Sequence, residues 1–359
     1  MMKKTALVLF LCGALAAAAL AAGDAGDPLA SLSYLAGTFS NTVDEKIEAR
    51  LDASDAALVK NTGSGGNGGD VAATWTEKRL KAGDTLLGST GTNVLVLSGS
   101  VQATCTAGTV VDVSAGTTLP SGSTLTVGHR YMAAEDASAF FVVTGKTAVV
   151  EYQGPNAFQY SDETDYNAMA SALKTLHLFQ GSFTGYGQGF DLEAAPTRLQ
   201  ALIMFIRVLG EEQQALQWTG ELPFTDLAKG SQAEKYVGYA YSRGYTNGYS
   251  ATLFKPAGAV NAYQYTEFIL RAMGYSSSAN TNLADTLERG QACGLLTSGE
   301  AAMLQRDRFL RAELVYISYY ALDTALPDGG TLGEALEAKG VFTGEEWKSA
   351  RNLVSGERE

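Results

Sequence analysis

Two stretches of this chain are one design written twice. Phe190-Asp-Leu-Glu-Ala-Ala-Pro-Thr-Arg-Leu-Gln200, continuing to Gly210, lies without a gap over Phe254-Lys-Pro-Ala-Gly-Ala-Val-Asn-Ala-Tyr-Gln264, continuing to Gly274. Phe190 falls on Phe254, Gln200 on Gln264, Arg207 on Arg271 and Gly210 on Gly274. In each copy a glycine- and tyrosine-rich turn precedes the phenylalanine, and a polar cap opens an apolar helix that a glycine stops. Units of this kind cannot bury their apolar faces alone and must stack on one another. A third, more divergent copy reads as a helix over Asn282–Leu296 and a second over Phe309–Leu322, which sets Arg311 where copy one has Arg198. Packed together, the copies should bury Leu202, Phe205, Ile206, Phe268, Ile269, Val315 and Ile317.

The pattern resembles the S-layer homology domain, a helix-loop-helix repeat that usually comes in threes. Phe224-Thr-Asp226 is similar to the family's opening Phe-x-Asp, and Gly244-Tyr-Thr-Asn-Gly248 with Phe254 is similar to its glycine turn. Pro196-Thr-Arg-Leu-Gln200 and Leu310-Arg-Ala-Glu313 resemble its Thr-Arg-Ala-Glu signature. The resemblance covers residues 164–326, under half of the chain, as repeats 164–222, 223–281 and 282–326. It implies an all-α bundle of three repeats whose grooves hold an anionic secondary cell wall polysaccharide attached to peptidoglycan. The residues it points to are Arg198, Arg311, Asp226, Gly248, Tyr249 and Gln264. An arginine at a helix start adds its fork of donors to the free N–H groups of that terminus, and both favour an acidic sugar substituent. Tyr245, Tyr249 and Tyr263 offer ring faces for stacking. Copy two departs from the pattern, because Ala262 stands opposite Arg198, and copy three lacks the glycine turn and its phenylalanine. At most two arginine grooves are therefore expected. The plainer roles are a capping or surface position for Arg198, a helix N-cap for Asp226 and core packing for most of the tyrosines.

At the other end, Met1-Met-Lys-Lys4, the apolar run Thr5–Leu20 and Ala19-Leu-Ala21 read together as a secretory signal over residues 1–22. Residues 29–60 read as an amphipathic helix with Leu32, Leu35, Phe39, Val43, Ile47 and Leu51 on one stripe. Such a stripe docks on its own chain or, alternatively, on a second copy, which would make residues 29–60 a self-association element. Residues 61–70 are a glycine-rich linker, and no Lys-Ser/Thr follows them as a phosphate loop would need. Cys12 follows Leu11, where lipid attachment needs a small residue. After signal cleavage no stretch is apolar enough to span a bilayer. An exported chain of this kind needs a non-covalent hold on the cell.

Over residues 71–153 the period changes to two. Asn93–Ser98, Gly108–Val113, Ser123–Met132, Ala139–Thr144 and Ala148–Tyr152 are strand-like, with glycine turns at Ser98-Gly-Ser100 and Thr144-Gly-Lys146 among others. This predicts a small antiparallel β-barrel or sandwich, closed by Gly154-Pro155 and followed by a polar connector. Residues 327–359, with Leu332, Leu336, Val341, Phe342 and Trp347, read as a C-terminal helical tail docked on the third repeat. The expected fold is multi-domain: an N-terminal helix, a small antiparallel all-β domain, then an all-α three-repeat bundle.

A net charge of −12 argues against nucleic acid, where affinity rests on neutralising phosphates with Lys and Arg. Between Ser161 and Leu326 twelve basic residues face seventeen acidic ones, so attraction for an acidic polymer must come from arginines set in a groove. Cys105 and Cys293 fall in different domains, so apolar cores rather than disulfides should supply stability. The two histidines, His129 and His177, lack partners at metal spacing, and no Gly-x-Ser-x-Gly marks a nucleophile. No catalytic residue, metal or cofactor is expected. The chain reads as a non-enzymatic anchor at the bacterial cell wall that displays its β-domain. The alternative is a wall-located ligand-binding or enzymatic protein whose β-domain takes a small molecule or a glycan.

Overall fold

A computed structural model describes residues 74–181, 186–277, 282–355 and 358. The signal, the amphipathic helix and the glycine-rich linker lie outside the described residues.

The strands are β1 (Thr76–Lys81), β2 (Thr85–Ser89), β3 (Asn93–Ala107), β4 (Val110–Asp112), β5 (Thr117–Leu119), β6 (Ser123–Thr124), β7 (Arg130–Ala133), β8 (Ser138–Gln153) and β9 (Asn156–Gln159). They form one sheet whose pairings are all antiparallel. The long strands β3 and β8 pair along their length; β1 and β2 flank β8, and β6 and β7 flank β3. Alternation turns Val94, Val96, Val101, Ala103, Phe141, Val143 and Val150 into a single core.

Two of the expected turns are not turns. Gly99 and Gly145 lie inside continuous strands, and Gly99 adopts φ 90° at a register shift of β3. A Cβ there would stand 2.4 Å from the Thr147 carbonyl oxygen, so the glycine lets the strand bend and approach its partner instead of reversing. Gly99→Val is expected to lower stability by at least about 1–3 kcal/mol, the usual cost of holding a side chain in such a backbone region. An unchanged urea midpoint would contradict this. The connector after Gly154 also differs from expectation, because the free edge of β2 pairs with residues 156–159, satisfying main-chain groups that a connector would leave to water.

Ten α-helices follow among the described residues: α1 (Tyr166–Thr175), α2 (Arg198–Val208), α3 (Glu212–Leu216), α4 (Gln232–Ser242), α5 (Ala262–Ala272), α6 (Thr286–Ala292), α7 (Ser298–Arg306), α8 (Arg311–Ala321), α9 (Leu332–Ala338) and α10 (Gly344–Leu353). Reciprocal capping boxes open α2 at Thr197 and Gln200, and α5 at Asn261 and Gln264. Helices α2, α5 and α8 pack on one another, while α4 lies on α2, α6 on α5 and α1 on α8. The seven apolar residues expected in this core are all buried. Helix α7 has no counterpart in the sequence reading, although Thr297 and Glu300 form the capping box that announces it. The tail does dock on the third copy, and it reaches further than expected. Gly333 N–H donates to the Leu322 carbonyl at the end of α8 (2.8 Å), and α10 then packs on α1 of the first copy.

Sheet and helices belong to one unit, residues 72–359. Both Cys105 and Cys293 are free thiols. Among the described residues no helix is long and apolar enough to cross a membrane.

Candidate binding cleft

Helices α2 and α8 begin in the same way. The N–H groups of Arg198 and Leu199 donate to the carbonyls of Gly258 (2.7 Å) and Pro256 (3.1 Å), and those of Arg311 and Ala312 to Ala194 (2.9 Å) and Leu192 (3.0 Å). In the gapless alignment Gly258 and Pro256 are the counterparts of Ala194 and Leu192. Each helix start is thus seated on the same point of the repeated loop. Asp191 and Lys255, also counterparts, share a left-handed backbone, φ 49° and 59°.

The two arginines nevertheless meet different surroundings. Arg198 is only 7% exposed, and its guanidinium lies 5.1 Å from the ring centre of Phe254 and 5.9 Å from that of Phe268. Its Nη2 donates to the Gly248 carbonyl (3.0 Å), while its buried Nε has no hydrogen-bond partner among the described residues. Burial pushes its pKa down, and the nearby charge of Arg271 adds to that push. Arg198 therefore holds the glycine turn from inside; it is neither a cap nor a surface residue.

Arg311 instead lines a cleft of about 550 Å³ between α2, α4 and α8. Its guanidinium lies 6.0 Å from the Phe179 ring centre and, among the described residues, has no hydrogen bond or ion pair. Burial lowers its pKa, opposed by the carboxylates of Asp191 and Glu193 and assisted by Arg207; an arginine stays charged throughout. Four glutamines, Gln180, Gln200, Gln213 and Gln232, share the lining with apolar Phe179, Ile203, Met204 and Leu216. Opposite stands Arg207, whose Nε donates to Glu212 (2.8 Å), as does the hydroxyl of Tyr236 (2.5 Å). Burial, and then the Glu212 carboxylate it donates to, push the Tyr236 hydroxyl up to about 12. The charged lining is thus two arginines and one glutamate, a local excess of positive charge on an acidic protein.

The other residues singled out from the sequence belong elsewhere. Asp226 accepts the N–H groups of Phe254 (2.9 Å) and Lys255 (2.7 Å), so it clamps the loop and does not cap a helix; Ser231 caps α4. Partial burial pushes its carboxyl upward, but those N–H groups outweigh that and hold it below its ordinary range. A depressed carboxyl stabilises above its unfolded pKa of about 4 and loses that contribution as pH falls through the folded value. Asp226→Asn is accordingly expected to be about 1–3 kcal/mol less stable than wild type at pH 7. The gap should close on acidification below about pH 4; a gap independent of pH in paired denaturant titrations would sink this assignment. Gly248 sits against Phe224, where a Cβ would overlap the ring, and Gln264 is occupied by the cap of α5. Tyr249 is 60% exposed with the Lys255 ammonium 3.5 Å above its ring centre, whereas Tyr245 is buried and donates to Glu211 (3.0 Å).

Residues 223–261, which contain Phe224, Asp226, Gly248 and Tyr249, match the family model of the S-layer homology domain. The protein carries an S-layer homology domain. This domain places the protein with those associated with the bacterial cell wall and surface, generally through secondary cell wall polysaccharide. No curated protein matches the chain. Arg198, Gln264 and Arg311 lie outside the matched stretch of the S-layer homology domain. Sequence reasoning missed Arg207, Gln180, Gln213 and Gln232 as cleft residues; the alignment of Arg207 with Arg271 and the Glu211-Glu-Gln-Gln214 run were the available signals.

Proposed function

We propose that this S-layer homology protein is a secreted, non-enzymatic anchor that grips an anionic secondary cell wall polysaccharide in the Arg311 cleft and presents its sheet at the wall. The observation that carries this reading is the guanidinium of Arg311, which lines an open cleft and makes no hydrogen bond or ion pair among the described residues. A guanidinium gives a bidentate hold on a carboxylate or phosphate, while the amides of Gln213 and Gln232 suit sugar hydroxyls. The apolar patch of Phe179, Met204 and Leu216 suits the C–H faces of the rings.

Three modules around a shared axis make such a cleft. The cyclic packing of α1 on α8, α4 on α2 and α6 on α5 supports that arrangement, as do the matched helix starts at Arg198 and Arg311. One cleft rather than two is then in use, because Arg198 is buried under Phe254 and Phe268 and copy two has Ala262. The interior of the sheet is filled by its own side chains, which favours presentation over an internal ligand.

The test is co-sedimentation of the full chain with wall sacculi that keep their polysaccharide and with sacculi stripped of it. The protein is expected to pellet with the first only. Equal pelleting with both, or with neither, would overturn the proposal.

A further inference from the structure

The loop on which α8 begins is also held by the sheet. Arg79 in β1 spreads its guanidinium over three acceptors: Nε donates to Asn167 Oδ1 (2.7 Å), Nη1 to the Gly187 carbonyl (3.0 Å) and Nη2 to Glu193 Oε1 (2.8 Å). The Glu193 carboxylate accepts two further hydroxyls from the sheet, Thr147 (2.6 Å) and Ser98 (3.3 Å). Gly187 N–H in turn donates to Glu77 of β1 (2.7 Å). The side chains of Arg79 and Glu193 are each only 8% exposed, so little solvent competes for these bonds. The two residues flanking Glu193, Leu192 and Ala194, are the ones whose carbonyls receive the first N–H groups of α8. Sheet and cleft therefore hold opposite sides of the same few residues. In copy two the counterpart of Glu193 is Ala257, which offers no such handle.

We propose that the sheet is a positioning element for the cleft: Arg79 and Glu193 fix loop 187–194 where it seats the start of α8, and so set the place of Arg311. The inference rests on the binding reading above, and it makes the sheet part of the wall-binding machinery as well as the element presented. Neither Arg79 nor Glu193 is among the residues lining the cleft, so both act through Arg311.

The experiment compares the full chain with Arg79→Met and Arg79→Lys in two measurements: affinity for the purified wall polysaccharide and amide hydrogen exchange. Arg79→Met is expected to bind about fivefold or more weakly and to exchange at Arg311 and Ala312 about tenfold faster, with exchange at Ile269 and Leu270 in α5 unchanged. Arg79→Lys, whose single ammonium cannot span three acceptors, should recover only part of both losses. Thr147→Val, which removes a sheet hydroxyl from Glu193 and leaves the carboxylate's charge in place, serves as the second variant if Arg79→Met does not fold, with the same expectations at smaller size. Unaltered affinity together with unaltered exchange at Arg311 and Ala312 would overturn the proposal, as would exchange that rises uniformly through the helices. If wild type does not bind the polymer while exchange at Arg311 and Ala312 still rises in the variant, the binding reading fails and the positioning role stands.

Discussion

Arg311→Met is expected to weaken binding of the wall polysaccharide about tenfold to a hundredfold, the range that one charge-assisted contact of about 1.5–3 kcal/mol commands. Methionine keeps most of the apolar stem beside Phe179 and removes only the cation. The guanidinium forms no bond within the described protein, so its loss should leave the melting temperature equal or slightly higher. A binding loss without a stability loss separates a ligand contact from a structural one. Arg198→Met should show the reverse ordering, since its Nη2 is already used by the Gly248 carbonyl and its cation is shut behind two rings. Affinity titrations and thermal melts on the two variants side by side check this; a larger binding loss for Arg198→Met would reassign the cleft.

Phe205→Ala should cost about 3–5 kcal/mol of stability, the range for deleting a large buried ring whose cavity cannot fully collapse. Phe205 is fully buried in the middle of α2, edge-on to Tyr245 at 5.2 Å and tilted against Phe268 at 5.6 Å. It touches the second module on two elements, so no single helix can close the gap. Against a typical total of about 5–15 kcal/mol, such a loss approaches unfolding at growth temperature. Chemical denaturation measures it directly, and a cost below about 1 kcal/mol would mean that the modules are not joined through this contact.

What was legible in the sequence was local. Thr197 with Gln200 and Asn261 with Gln264 announce helix starts because a cap needs only its own neighbours. The apolar spacing of Leu202, Phe205 and Ile206 gives the buried face for the same reason. The fate of each arginine was not legible, because it depends on a partner from another module. Phe268 closes over Arg198, whereas its counterpart Met204 lines the open cleft beside Arg311. Asp226 misled in the same way, since its hydrogen bonds go to main chain 28 and 29 residues away. Gly99 shows a different ambiguity: a glycine that lets a strand bend and one that ends it look alike until the partner strand is known.

Calorimetric titration of the full chain with the purified wall polysaccharide, beside the same polymer with its acidic substituents removed, tests the central claim most directly. Saturable binding of the acidic polymer, weakening as salt is raised and absent for the neutralised polymer, is the expected result. Equal heats and equal affinity for the two polymers would contradict a cleft built around the charge of Arg311.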